Sequence, residues 1–242
     1  MEIDRIAPTR RPAGRNSGTQ IWEELLFLHW SFPPEVLRPL VPRSLELDLW
    51  EGRAYVGLVP FLMRRIRPSW LPRALALDFL ETNVRTYVHR DGAPGVLFLS
   101  LEASSWLAVR AARAQWRLPY FHAAMSRARE GDVIRYRSRR RDRSAAGLEV
   151  RYSPGRALGP SAPGTVEHFL LERYYLYVDK RGRLLQGQVH HRPYPAHEVE
   201  VQALDESLLA AAGLPPSTCP PELAHFSPGV EVEVFGPWPV GS

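Results

Sequence analysis

Lysine is almost missing from this chain: of its 31 basic residues only Lys180 is a lysine. An amine that attacks a carbonyl substrate to form an imine has therefore a single possible source. Lys180 falls in Asp179-Lys180-Arg181-Gly182, which reads as an exposed hairpin turn. An exposed ammonium keeps a pKa near ~10.4 and is a poor nucleophile at neutral pH. Cysteine is equally scarce. Cys219 is the only one, so an intrachain disulfide is excluded, and no cysteine-based metal or protease pattern exists. No apolar run approaches the roughly 20 residues that span a bilayer; the longest, such as Val56 to Met63, have strand length. The start Met-Glu-Ile-Asp-Arg lacks the basic stretch and apolar core of a secretory signal. A cytoplasmic protein with no membrane partner is the expectation. A Gly-rich phosphate loop, a dinucleotide fingerprint, a Gly-x-Ser-x-Gly elbow and a His-Glu-x-x-His pair are all absent. No cofactor and no metal site is expected. His190 and His191 would point to opposite faces of a strand and would not share one ion.

What is present is a chain of 242 residues, 45% hydrophobic and 10% aromatic, with enough apolar surface for a real core. The net charge is +5. The densest basic run, Arg135 to Arg143, permits a polyanion partner. No groove-reading helix, zinc finger or RNA-binding aromatic motif accompanies it, so no specific nucleic-acid partner is expected. The alternative is a solvated edge strand and turn whose charge guards against edge pairing.

Residues 1–19 carry arginines, Pro, Gly, Asn and Ser and read as a flexible basic arm, leaving 20–242 as one domain. Period-two and apolar runs predict strands over Trp22–Trp30, Leu45–Trp50, Ala54–Met63, Asn83–His89, Val96–Leu101, Tyr120–Arg127, Val133–Arg139, Leu148–Tyr152, Tyr174–Val178, Leu184–His190, Glu198–Val201 and Val230–Phe235. Arg64 to Asp78 and Gly155 to Gly164 read as connections. Asp91-Gly92 marks a hairpin turn. Short helices are expected after Pro33, after Ser104 or Ser105 as far as about Trp116, after Thr165, and from Asp205 to Gly213. Strands joined by hairpins, with a few short helices, give an antiparallel α+β domain.

The segment most suggestive of chemistry is Phe79-Leu-Glu-Thr-Asn-Val-Arg-Thr-Tyr87. On a strand, Glu81, Asn83, Arg85 and Tyr87 share one face. Four such side chains in a row either meet solvent or line a polar cavity. A second segment, Ala112 to His122, places Arg113 on a helix as either a surface residue near its end or an anchor for a small carboxylate. A third, Glu172-Arg173-Tyr174-Tyr175-Leu-Tyr177, reads as core packing.

Phe27-Leu-His-Trp30, Leu37-x-Pro-Leu-Val-Pro42, Leu45-Glu-Leu-Asp48, Val56-Gly-Leu-Val-Pro-Phe61, Glu81-x-Asn-Val-Arg-Thr-Tyr-Val88 and Glu172-Arg-Tyr174 resemble the bacterial YqjF-like family, domain of unknown function 2071. The resemblance covers about residues 20–200. It implies the acetoacetate decarboxylase fold, a mostly antiparallel sheet curled into a cone or barrel around a cavity. Against the decarboxylases themselves, Phe79-Leu80-Glu81 is similar to their aromatic-x-Glu motif, and Ala112 to Phe121 aligns with Gly-Arg-Glu-x-x-Gly-x-Pro-Lys-Lys. Arg113 and Pro119 match; Tyr120 and Phe121 stand where both lysines would be. The resemblance thus implies a pocket without the Schiff-base reaction. In that pocket Arg113 or Arg85, with Asn83 and Tyr87, would hold a small carboxylate or carbonyl compound, Glu81 would act as acid or base, and Tyr120 would donate a hydrogen bond. The alternatives are a scaffold whose cavity is plugged by Trp106, Trp116, Tyr120 and Phe121, or a weak polyanion binder through Arg135–Arg143.

Overall fold

A computed structural model describes residues 3–115, 118–180, 182–216 and 219–240, with side chains for all of these except 111–115 and 180. Strands dominate. They are β1 (Gly18–Phe32), β2 (Glu46–Leu47), β3 (Ala54–Pro68), β4 (Leu77–Arg90), β5 (Ala93–Ala103), β6 (Tyr120–Glu130), β7 (Val133–Arg140), β8 (Gly147–Gly159), β9 (Tyr175–Lys180), β10 (Arg183–His190), β11 (Ala196–Glu206) and β12 (Leu223–Pro239). Four short α-helices punctuate them: α1 (Pro34–Leu37), α2 (Trp106–Gln115), α3 (Val166–Leu171) and α4 (Leu208–Ala211). None of the described helices is long and apolar enough to cross a membrane.

All twelve strands belong to one sheet that curls until its pairings meet. β1, β3, β4, β5, β9, β10 and β12 pair in turn and return to β1. β6, β7, β8 and β11 leave β5 and rejoin at β12, enclosing a side lobe against the same strands. Most neighbours are antiparallel; β5 is parallel to β6 and β9. The strands shared by both lobes are buried on both faces over Leu25–Trp30, Ala54–Phe61 and Glu81–His89. Leu26, Leu28, Val56, Leu58 and Val84 pack into the side lobe with Ile134, Tyr136, Leu148 and Val150. Leu25, Phe27, Val59 and Phe61 face the ring with Leu101, Tyr174, Val189 and Tyr194. Double burial is why Leu25–Trp30 and Ala54–Phe61 read as near-continuous apolar runs, while β4 keeps polar side chains that the interior must satisfy.

Local chemistry explains several joints. The β4–β5 hairpin turns through Asp91 (φ 50°) and Gly92 (φ 79°), the pair of left-handed residues that a two-residue type I′ turn requires. Thr165 caps α3, its hydroxyl accepting from the His168 N–H at 3.2 Å. Gly213 (φ 93°) follows α4 in the left-handed region, as a helix-ending glycine should.

Four expectations are corrected. Of residues 1–19, read as a flexible arm, the described part lies against the body: Pro8 is buried, Arg5 pairs with Asp48, Gln188 donates to the Pro8 and Arg10 carbonyls, and Gly18 and Thr19 begin β1. The strand expected over Leu45–Trp50 shrinks to Glu46–Leu47, because Asp48 turns inward to meet Arg5 and Arg173 and breaks the alternation. The helix expected from Asp205 starts only after Ser207, since Asp205 and Glu206 still pair with β8. The Arg135–Arg143 run does not sit on an edge: β7 lies between β6 and β8, with Arg135, Arg137 and Arg139 outward and Arg140 inward.

Candidate functional site

The ring encloses a cavity of about 390 Å³. Its walls are mostly apolar, from Trp22 and Leu25 of β1, Val59, Phe61 and Met63 of β3, and Leu101 of β5. Polar groups enter chiefly from β4. Glu81, Asn83 and Arg85 are successive same-face residues of that strand and all line the cavity. They are 3%, 6% and 8% exposed, so the face shared by these side chains is interior.

Glu81 accepts a hydrogen bond from the Tyr120 hydroxyl at 2.9 Å. Burial pushes its pKa up to about 8; the Tyr120 bond opposes the shift and the nearby Glu102 adds to it. At neutral pH the carboxyl is therefore protonated, and with Tyr120 donating to Oε2 its own proton has a place on Oε1. Tyr120 is itself held well above the usual phenol range, first by burial and then by Glu81. The backbone here is fixed from the other lobe, where the Tyr136 hydroxyl donates to the Glu81 carbonyl at 2.7 Å. The buried Asn83 Oδ1 has no hydrogen-bond partner.

Arg85 donates from Nη2 to the Leu170 carbonyl at 3.0 Å, and its guanidinium lies 5.5 Å from the Phe27 ring and 5.6 Å from that of Tyr87. Its Nε is buried without a partner. The other buried arginines have carboxylates: Arg140 pairs with Glu102 and Arg173 with Asp48. Among the described residues Arg85 is in no ion pair.

Tyr87 completes the β4 row but stands behind the cavity rather than on its wall. Its hydroxyl donates to the Leu170 carbonyl at 3.0 Å and meets His29 Nε2 at 2.7 Å. Burial, followed by the charge of Arg85, holds the His29 pKa well below its ordinary value, so the imidazole is neutral. Gly57 makes room for this pair, since a Cβ there would sit 3.2 Å from both side chains.

The side chain of Arg113 lies outside the described residues, as does Trp116. Of the other aromatics expected to plug the cavity, Tyr120 is on its wall, Phe121 stacks under Arg140 at 3.8 Å, and Trp106 is 58% exposed. Sequence reasoning missed the contribution of the segment after α3. Tyr174, on the cavity wall, donates to Glu172 at 2.6 Å, and Glu172 also accepts from the Tyr194 N–H at 2.9 Å. Tyr174 stacks on His191 at 4.6 Å, Tyr194 meets the same imidazole tilted at 4.7 Å, and burial lowers the His191 pKa to about 4. The run Glu172-Arg-Tyr174 was visible; that its acid and base face different partners is a tertiary fact. Among the described residues no group of His, Cys, Asp and Glu is placed to hold a metal ion.

Comparison with known proteins agrees with this architecture. The acetoacetate decarboxylase of Legionella pneumophila superposes with a TM-score of 0.61 at 13% identity, covering 100% of this chain and 96% of that one. The enduracididine biosynthesis enzyme MppR, in complex with pyruvate, gives 0.64 at 12% identity over 96% and 93% of the two chains. These likenesses establish an acetoacetate decarboxylase-like fold. In sequence, the uncharacterised protein YqjF of Bacillus subtilis is 36% identical over 222 residues, 91% of this chain and 90% of its own length. The model of domain of unknown function 2071, described as an uncharacterised conserved protein, matches residues 19–231, and the chain belongs to that family.

Proposed function

We propose that this protein binds a small organic acid or carbonyl compound in the ring cavity, with Arg85 as the carboxylate anchor and Glu81 and Tyr120 as the acid–base pair. The observation that carries the reading is the lone buried cation. A guanidinium taken out of water is costly unless an anion accompanies it, and Arg85 faces the cavity in no ion pair among the described residues, with Glu172 near enough to feel its charge but not paired with it. A ligand carboxylate is the natural complement, since the guanidinium fork binds it at two points.

Glu81 fits the second half of the reading. A neutral carboxyl donates a hydrogen bond to a carbonyl oxygen, or a proton to an oxygen that gains charge, and a pKa near the working pH suits that task. Tyr120 keeps Oε2 occupied, which leaves the acidic hydrogen to the ligand. Asn83, with its unpaired oxygen, would accept from a ligand hydroxyl. The chemistry argues against imine formation at the wall: Tyr120 and Phe121 occupy the positions aligned with the decarboxylase lysines, and no lysine is among the described lining residues. That MppR is described in complex with pyruvate, and with the condensation product of pyruvate and imidazole 4-carboxaldehyde, supports a carbonyl acid as the ligand class. Arg113 remains a second candidate anchor, to be judged in the same experiment.

The test is a thermal-shift screen of carboxylates and 2- and 3-oxo acids on wild type, Arg85→Met and Arg113→Ala. A native-state ligand at a hundredfold excess over its Kd adds about 2.7 kcal/mol of stability. Arg85→Met should fold, because the Leu170 carbonyl keeps its bond from Tyr87. A shift in wild type that disappears in Arg85→Met is the expected result. Loss in Arg113→Ala alone moves the anchor to α2. A shift that survives both substitutions removes the carboxylate-anchoring role.

A further inference from the structure

The cavity is far larger than the smallest acids the site would accept, and its polarity is graded. At about 30 Å³ per water-sized heavy atom, 390 Å³ holds on the order of a dozen non-hydrogen atoms. It also falls within the roughly 300–1,000 Å³ typical of pockets for drug-sized ligands. A three-carbon oxo acid has six such atoms and fills about half of it.

The buried polar groups cluster along β4 and at Tyr120, the wall between is mostly apolar, and Ser17, Thr19, Gln20 and Arg67 bring polarity back near the open end. Along β4 the cavity-lining residues run from Leu77, 37% exposed, through Phe79 to Glu81, Asn83 and the buried Arg85. Strand residues rise about 3.3 Å each, so Arg85 lies roughly 13 Å from Glu81 and roughly 26 Å from Leu77 along the strand. The guanidinium leans the other way, toward Tyr87 and Phe27, which does not shorten that span. A short acid held at Arg85 leaves the space beside Phe79, Met63 and Phe61 empty. That space opens past Leu75 and Leu107, 58% and 50% exposed, both of which line the cavity. Apolar side chains left in water around a pocket mouth are a mark of an interaction site.

Building on the carboxylate reading, we infer that the ligand is a medium-chain organic acid: its carboxylate sits at Arg85, and an apolar chain runs past Glu81 and Tyr120 toward the mouth between Leu75 and Leu107. The total length that fits is on the order of eight to twelve carbons. An oxygen substituent along the chain would meet the Glu81 proton.

The experiment is calorimetric titration of the full chain with straight-chain monocarboxylates from four to twelve carbons, held below their micelle concentrations, with pyruvate alongside. Each added methylene should tighten binding about fourfold, and the gain should stop when the chain has filled the space beside Phe79, Met63 and Phe61. Met63→Trp narrows the passage beside Phe79, which Met63 faces across the β3–β4 ladder; it should abolish the gain for the longer acids while keeping that for the shortest. A melting curve of this variant checks that it is folded. If it is not, the wild-type chain-length series decides by itself. Affinity that is flat or falls with chain length, with binding still lost in Arg85→Met, overturns the medium-chain inference and leaves the carboxylate site standing. If no carboxylate of any length binds, or Arg85→Met binds as wild type does, the carboxylate reading itself fails.

Discussion

Glu81 and Glu102 are neighbours in the sheet yet live in different worlds. Glu102 pairs across the β4–β5 ladder with Thr82, so the two glutamates point to opposite faces. Glu102 enters the side lobe, fully buried, and meets Arg140 Nη2 at 2.6 Å and Nε at 3.0 Å. Glu81 enters the ring and, among the described residues, meets a phenol within hydrogen-bonding distance, with open space beyond. A guanidinium compensates a buried carboxylate; a tyrosine hydroxyl does not, and the carboxyl answers by keeping its proton. The same contrast separates Arg140 and Arg173, each matched by a carboxylate, from Arg85. Arg140 in the side lobe and Arg173 at the cavity's inner end are both closed off by a carboxylate as structure. In the ring one acid and one base are left facing a cavity, too far apart to neutralise each other.

The contrast breaks most visibly if the closed pair is opened. Arg140→Ala leaves Glu102 buried without its cation and should cost about 3–5 kcal/mol in denaturant unfolding. The paired replacement Arg140→Met with Glu102→Leu should recover most of that loss. A cost below about 1 kcal/mol would mean the pair is not the structural lock described.

Glu81 carries a smaller effect with a distinct pH signature. Its folded pKa of about 8 exceeds the usual 4.5, so the fold holds a proton that the unfolded chain gives up. Its contribution is fully present below the unfolded pKa and is lost as pH rises through about 8. Between pH 5 and 8 wild type should lose stability relative to Glu81→Gln by on the order of 1 kcal/mol per pH unit. Parallel stability curves for the two proteins would show that Glu81 is ionised. Smallest of all is Arg137→Ser. This exposed residue donates to Glu149 at 2.7 Å on the outer face of β7, and such surface pairs contribute little. No measurable change in melting temperature is expected; a clear drop would show that the outer arginines of β7 are structural too.

Much of this was legible in the chain. Alternation over Glu81 to Tyr87 identified the one row of polar residues on a strand, and Asp91-Gly92 marked the hairpin that returns it. The scarcity of lysine and the Tyr120-Phe121 pair told which chemistry to leave aside. What alternation does not reveal is whether a face meets water or an interior. For β4 the choice between solvent and cavity stayed open, because the opposite face, with Val84, Thr86 and Val88, is small and β-branched and suits either side. The short β2 was misjudged for a different reason: Asp48 looks like a solvent-facing residue, and only its two arginine partners, 43 residues before it and 125 after, draw it inside.

The sequence by itself determined the elements and the supply of chemistry: strands from period-two and apolar runs, turns from residues that tolerate left-handed backbone, one lysine, one cysteine, and a carboxylate and a guanidinium four residues apart. Those are consequences of local sterics and composition. Only the tertiary structure decided which carboxylate would find a cation and which would keep a proton. That depends on the closing of the sheet, which brings β7 against one face of β4 and β5 and leaves a cavity against the other, and the free energy of a buried charge is set by what stands opposite it rather than by its neighbours along the chain.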